Sequence, residues 1–161
     1  QYGANSPVVN IDVNGDSIWY TRNGDIVTMY VTAKIFNNSS DKYIRDFISD
    51  RCRILAVVGL HGNTFKPHTG TKTSVLFVQK WDDKLCPKVD DYNIFFATMQ
   101  KPGKDNSGEK IYVKDANGEN ILDNHGHLIV DHDLYNHEGL TQDGIAEAFI
   151  EFAKKEKLSF F

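Results

Sequence analysis

The sequence predicts an α/β fold with a mixed sheet and few helices, preceded by a β-meander. Three observations carry that expectation. Asn14-Gly15 and Asn23-Gly24 divide β-rich runs in the first third of the chain. A one-sided apolar stripe, Ile44, Phe47 and Ile48, runs straight into the near-continuous apolar segment 53–60. A second β-branched run, 71–80, returns after the polar loop 61–70.

Each element has a local reason. Asn-Gly accepts positive φ at both centres of a type I′ turn, so 7–13, 17–21 and 26–36 read as a three-strand meander. The third run is long and is expected to bend or lose pairing near Thr32-Ala33-Lys34. Ser39 or Ser40 can cap the next helix, Asp41 suits its positive end, and Arg51 and Arg53 suit its negative end. Segment 53–60 has the character of a strand covered on both faces, and a helix feeding such a strand signals α/β layering. Residues 61–80 then make a β-loop-β unit, expected as an antiparallel pair. Further along, 94–99, 111–114 and 127–130 read as short strands, separated by the turn-rich loop 101–110 and by Asn117-Gly118. Ile145, Ala148, Phe149 and Phe152 stand at helical spacing, so 143–156 reads as an amphipathic helix capped by Thr141 or Asp143. No internal repeat is evident, and no tract is long enough to be a linker.

A chain of 161 residues, 40% hydrophobic and 25% charged, can bury a sizeable core and is expected to be soluble. Its net charge of −4 excludes a general pull toward nucleic acid, leaving DNA contact to a local basic patch or a partner subunit. Cys52 and Cys86 are expected to stay reduced in a cytoplasmic protein. No apolar run is long enough to cross a bilayer, and no signal segment opens the chain. Gln1 in place of an initiator Met is expected of a trimmed or partial chain.

Four features could carry chemistry. Phe65 is the one large apolar residue of its loop: beside Lys66 it offers a stacking face and a phosphate-seeking charge, or it folds back to seal the sheet edge. His125, His127, Asp131, His132, Asp133 and His137 crowd into thirteen residues. Such density can bind a divalent ion, yet no helical His-x-x-x-His pair or cysteine joins in, and a solvated turn satisfying its own backbone explains it as well. Neighbouring residues of an extended segment point apart, so Asp82-Asp83 and Asp90-Asp91 read as solvated faces. Trp19, Tyr20 and Tyr30 are expected to be divided between core and surface of the meander, where exposed aromatics could bind a glycan or protein.

The succession from Phe36 to Trp81 resembles the second half of the catalytic domain of adenine-specific DNA methyltransferases, the modification subunits of type I restriction systems. Thr64-Phe65-Lys66-Pro67, followed by Gly70-Thr71-Lys72-Thr73-Ser74-Val75-Leu76, is similar to that family's loop between its last two strands. The likeness runs over roughly 36–161, continuing through Phe95-Phe96-Ala97, Lys104-Asp105-Asn106-Ser107-Gly108 and the closing helix. It implies the second half of a class I S-adenosylmethionine-dependent methyltransferase fold, with 36–161 as one unit and 1–35 a meander that fits the family poorly. It also implies adenine methylation of DNA in complex with specificity and restriction subunits. Phe65 is then the contact to the target base, and Lys66 and Lys72 contact the DNA backbone. Two departures limit this. The chain has no Gly-rich cofactor loop, and its four prolines, Pro7, Pro67, Pro87 and Pro102, are never adjacent, so the family's Pro-Pro catalytic turn is missing. No catalytic residue and no cofactor-binding residue is therefore assigned, and the chain alone is expected to be inactive. The rival expectation is a non-enzymatic protein- or glycan-binding module on a methyltransferase-like scaffold.

Overall fold

Two antiparallel pairings and one parallel pairing build the sheet at the centre of this computed structural model, which describes residues 24–32 and 34–160. The elements are β1 (Ile26–Thr32), α1 (Lys34–Asn37), α2 (Lys42–Arg51), β2 (Cys52–Gly59), β3 (Thr73–Lys80), β4 (Phe95–Thr98) and α3 (Ile145–Lys155). Short 3-10 turns occupy Ser39–Asp41 and His137–Gly139. The strand order is β1-β3-β2-β4, with β4 parallel to β2 and the other neighbours antiparallel. A mixed α/β sheet with few helices is thus what forms. The first two runs of the expected meander, with Trp19 and Tyr20, lie outside the described residues.

The side-chain alternation of the strands decides which element covers which face. On one face Met29, Val31, Leu76, Val78 and Cys52 meet Ile35 of α1 and Ile48 of α2, all nearly inaccessible to solvent. This explains why the long apolar run splits after Thr32: Ile35 and Phe36 leave the sheet on a helical turn and pack over it. On the opposite face Leu55, Ala153 and Leu158 form a second core, joined by Ile26, Phe77, Phe149 and Phe152. Leu55 faces α3 because it alternates with Cys52 and Ile54, and the register of β2 on β3 shifts between Ile54 and Ala56. Buried Gln79 closes that end, donating from Nε2 to the Gly24 carbonyl at 3.1 Å and to Ser159 Oγ at 3.0 Å.

The helix expected over 143–156 begins at Ile145, because Glu147 reaches back 2.8 Å to the Gly144 N–H and closes the first turn. Neither Thr141 nor Asp143 caps it. The strands expected at 111–114 and 127–130 are only isolated bridges. In their place stands a repeat that strand and helix periodicities do not register. Asp105, Asp115 and Asp123 each open an Asp-x-x-Gly-x-x-Ile unit, completed by Gly108 and Ile111, Gly118 and Ile121, and Gly126 and Ile129. In each unit the aspartate Oδ1 accepts the backbone N–H groups two and four residues on, at 2.8–3.0 Å. Each glycine sits at positive φ (98°, 86° and 81°), where a side chain would strain the turn. The units lock in a ring: Val113 N–H donates to Ile129, Ile129 N–H to Ile121, and Ile121 N–H to Val113. The expectation of no internal repeat is thus corrected.

Candidate functional site

The loop between β2 and β3 is built on its own backbone and on the first of the three turns. Thr64 N–H donates to His61, Lys66 N–H to Asn63, and Thr69 N–H to the Phe65 carbonyl, at 3.0–3.1 Å. Lys104 Nζ bonds the carbonyls on either side of Phe65, that of Thr64 at 3.2 Å and that of Lys66 at 2.9 Å. Asn63 Nδ2 returns the contact, donating to the Lys104 carbonyl at 3.3 Å and to Asn106 Oδ1 at 3.1 Å. Gly108 lies so near that a Cβ there would come within 2.7 Å of Pro67 N and 2.9 Å of the Lys66 carbonyl carbon. The peptide bond between Lys66 and Pro67 is cis. Phe65 is thus carried on a loop whose backbone is held at both flanks.

Neither alternative for Phe65 is met in full. The ring is half-buried, standing edge-to-face against Tyr30 with centroids 6.4 Å apart and planes at 79°. Tyr30 projects from β1 opposite Val75 of β3, on the face that α3 covers at its other end. It is 50% exposed. Sequence reasoning set Tyr30 among the meander aromatics and had no signal linking it to Phe65, because antiparallel pairing with β3 creates the contact. Lys66 is half-buried beside Gly70, whereas Lys72 is exposed just before β3. Sequence reasoning also missed Lys104 and Asn63. The Asp-x-x-Gly unit beginning at Asp105 was the available signal for the neighbouring brace.

The histidines separate into two pairs. His125 and His127 share the third turn, where Asp123 Oδ1 accepts both their N–H groups and its Oδ2 lies 3.4 Å from His127 Nδ1. These donors hold the Asp123 carboxyl below its ordinary value, the His127 N–H bond contributing most. His132 lies apart, its ring 4.5 Å from that of His137 and 4.6 Å from that of Tyr135. Burial, then the neighbouring His137, pushes the His132 pKa down. Asp131 is engaged by Lys101 Nζ at 3.0 Å, and Asp133 Oδ2 accepts the Gln100 N–H at 2.8 Å. Among the described residues no three His, Cys, Asp or Glu side chains are placed to hold a metal. Cys52 and Cys86 are both buried and free. The acidic doublets do not build a site either: Asp82 Oδ1 caps its own turn, accepting from Lys84 and Leu85 N–H.

S-adenosylmethionine, which the resemblance implies, does not fit the described residues. The direct connection from strand to helix, β1 to α1, reads Thr32-Ala33-Lys34 and contains no glycine to admit a ligand against the backbone. Gly24 takes positive φ ahead of β1, not at a strand-to-helix connection, and Gly103, Gly108, Gly118, Gly126 and Gly139 take it in the turns between β4 and α3. A shallow cleft of about 330 Å³ between β4 and the start of α3 is lined by Phe95, Phe96, Ala97, Asp133, Asp143 and Ile145, among others. None of its lining residues belongs to the β2–β3 loop. No helix among the described residues is long and apolar enough to cross a membrane.

Known proteins bear on this geometry as follows. No curated protein matches the chain. A putative class I S-adenosylmethionine-dependent methyltransferase from Listeria monocytogenes is similar over 49% of this chain and 23% of its own, at 23% identity and a TM-score of 0.41. A modification subunit of a putative type I restriction enzyme from Vibrio vulnificus YJ016 is similar over 68% of this chain and 26% of its own, at 13% identity and a TM-score of 0.36. A chain from a type I restriction–modification complex is similar over 50% of this chain and 15% of its own, at 17% identity and a TM-score of 0.38. The chain therefore spans about a quarter or less of these proteins. The profile of one family, described as N-6 DNA Methylase, matches residues 18–155. The chain belongs to the N-6 DNA methylase family.

Proposed function

We propose that this chain is the base-facing part of an adenine-specific DNA methylase of a type I restriction–modification system, and that it does not transfer methyl groups by itself. The observation that carries the reading is the family match across residues 18–155, which takes in the whole β2–β3 loop. In this scheme 36–161 is the methyltransferase-like unit, with β1 pairing into the same sheet. Phe65 stacks on an adenine taken out of the duplex, and Lys66 and Lys72 lie along the sugar-phosphate backbone. S-adenosylmethionine is the donor the family implies, and no binding motif for it is read in this chain. A specificity subunit reads the sequence and a restriction subunit completes the complex, in the cytoplasm, without a membrane contact.

The rigid placement of Phe65 supports this. A base-stacking side chain is useful when its backbone is already fixed, because ordering it on binding would cost affinity. Lys104 and Asn63 provide that fixing. What supports the inactivity is the sequence, in which no Gly-rich cofactor motif is read and the four prolines are never adjacent. The test is transfer of labelled methyl from S-adenosylmethionine to unmethylated DNA by the purified chain. No transfer above background is expected. Sustained turnover would overturn the claim of inactivity.

A further inference from the structure

Resting on the reading of Phe65 as a base contact, we infer that Tyr30 is a second base-binding residue, and that the two rings form a corner for one unstacked purine. The rings come from β1 and from the β2–β3 loop, meeting at 79° with centroids 6.4 Å apart. In an edge-to-face pair, a planar base stacked on the ring that presents its edge turns its own edge toward the face of the other, so the corner limits both its stacking and its in-plane position. Half of the Tyr30 surface is open. A tyrosine hydroxyl can both donate to and accept from a base edge.

The surroundings favour a nucleic acid over other flat ligands. Lys66 and Lys104 lie within or against the loop, and Lys72 follows it, which concentrates positive charge in a chain of net charge −4. Phosphodiesters flanking an unstacked base would meet the Lys66 and Lys72 ammonium groups, while Lys104 holds the loop. The strand beneath is fixed along its length by pairing with β3, and Lys104 fixes the loop, so the rings hold their relation before a base arrives.

The experiment titrates the full chain into a short thymidine single strand carrying one 2-aminopurine, at low salt, and follows the purine fluorescence. An otherwise identical strand with an abasic site replaces the purine as competitor. The natural chain is expected to quench the fluorescence and to prefer the purine strand. Tyr30→Ala, and Tyr30→Leu as a strand-compatible replacement, are expected to weaken binding roughly fivefold or more and to reduce the quench, as is Phe65→Ala. Tyr30→Phe is expected to keep the quench, with far-ultraviolet circular dichroism showing that each variant is folded. Loss in Phe65→Ala with unchanged Tyr30→Ala and Tyr30→Leu overturns the role of Tyr30 and leaves the reading of Phe65 standing. A Tyr30→Phe variant as weak as Tyr30→Ala overturns the stacking role. Absence of a purine-dependent signal in the natural chain, or its survival in Phe65→Ala, sinks the base reading and this inference with it.

Discussion

Gly108 illustrates how one residue couples the repeat to the candidate site. Its φ of +98° is unfavourable for any side chain, and a Cβ would press on the Lys66 and Pro67 backbone at 2.7–2.9 Å. Backbone gives way less readily than the end of a flexible side chain. Gly108→Ala is therefore expected to cost about 1–3 kcal/mol by chemical denaturation, combining left-handed strain with the clash. Lys104→Met tests the other half of the brace. It keeps the length of the side chain and removes the donors to the Thr64 and Lys66 carbonyls. Faster hydrogen exchange at the Thr64, Lys66 and Thr69 amides is expected, with the exchange of β2 and β3 unchanged. Unchanged loop exchange would show that the carbonyl bonds do not hold the loop. Phe65 was legible in the sequence as an aromatic in a polar loop. Tyr30, Asn63 and Lys104 were not, because each meets the loop only through contacts between distant segments.

Elements divide according to whether their stability is local. α2 and the β2–loop–β3 unit were legible because apolar spacing dictates which face is buried, and their bounds shift by only a residue or two. The strands expected at 111–114 and 127–130 failed for a physical reason. Each aspartate carboxylate draws its own backbone N–H groups into a turn, and what remains is too short for a ladder. Replacing Asp123 by Ala is expected to lower the melting temperature and to speed exchange of the His125 and His127 amides. The start of α3 was missed because Glu147 closes the helix on Gly144, a residue that carries no capping side chain. The packing of that helix is the more consequential part. Leu55 is 1% exposed beneath Ala153 and Leu158, so Leu55→Ala should cost about 2–5 kcal/mol in chemical denaturation. A loss well under that range would mean that α3 settles into the space.

Stability of the whole molecule should be highest between about pH 6.5 and 9, and it should fall on both sides for separate reasons. Folding lowers the pKa of His132 from its ordinary 6.5, so below that pH the unfolded chain binds the extra proton and stability drops. Asp105, Asp123 and Glu147 are held below their ordinary values, led respectively by the Ser107 hydroxyl, the His127 N–H and the Gly144 N–H. Their stabilisation is present above the usual carboxylate range and is lost as pH falls through it. Burial raises the Cys52 thiol from 9.0 to about 11, so above pH 9 the unfolded chain releases the proton first and stability falls again. Denaturation across this range checks both limbs. His132→Asn should flatten the limb just below pH 6.5, and Cys52→Ala the one above pH 9. The sequence by itself determined the mixed α/β class, the helix-strand-loop-strand order around Phe65, and the spacing of four prolines that are never adjacent. These depend on spacing and composition within short stretches. Only the tertiary structure decided that Tyr30 stands against Phe65, that Lys104 holds the loop, and that three aspartate turns lock into a ring. Each of these depends on strand register or chain return between residues far apart in sequence, and local propensity carries no information about either.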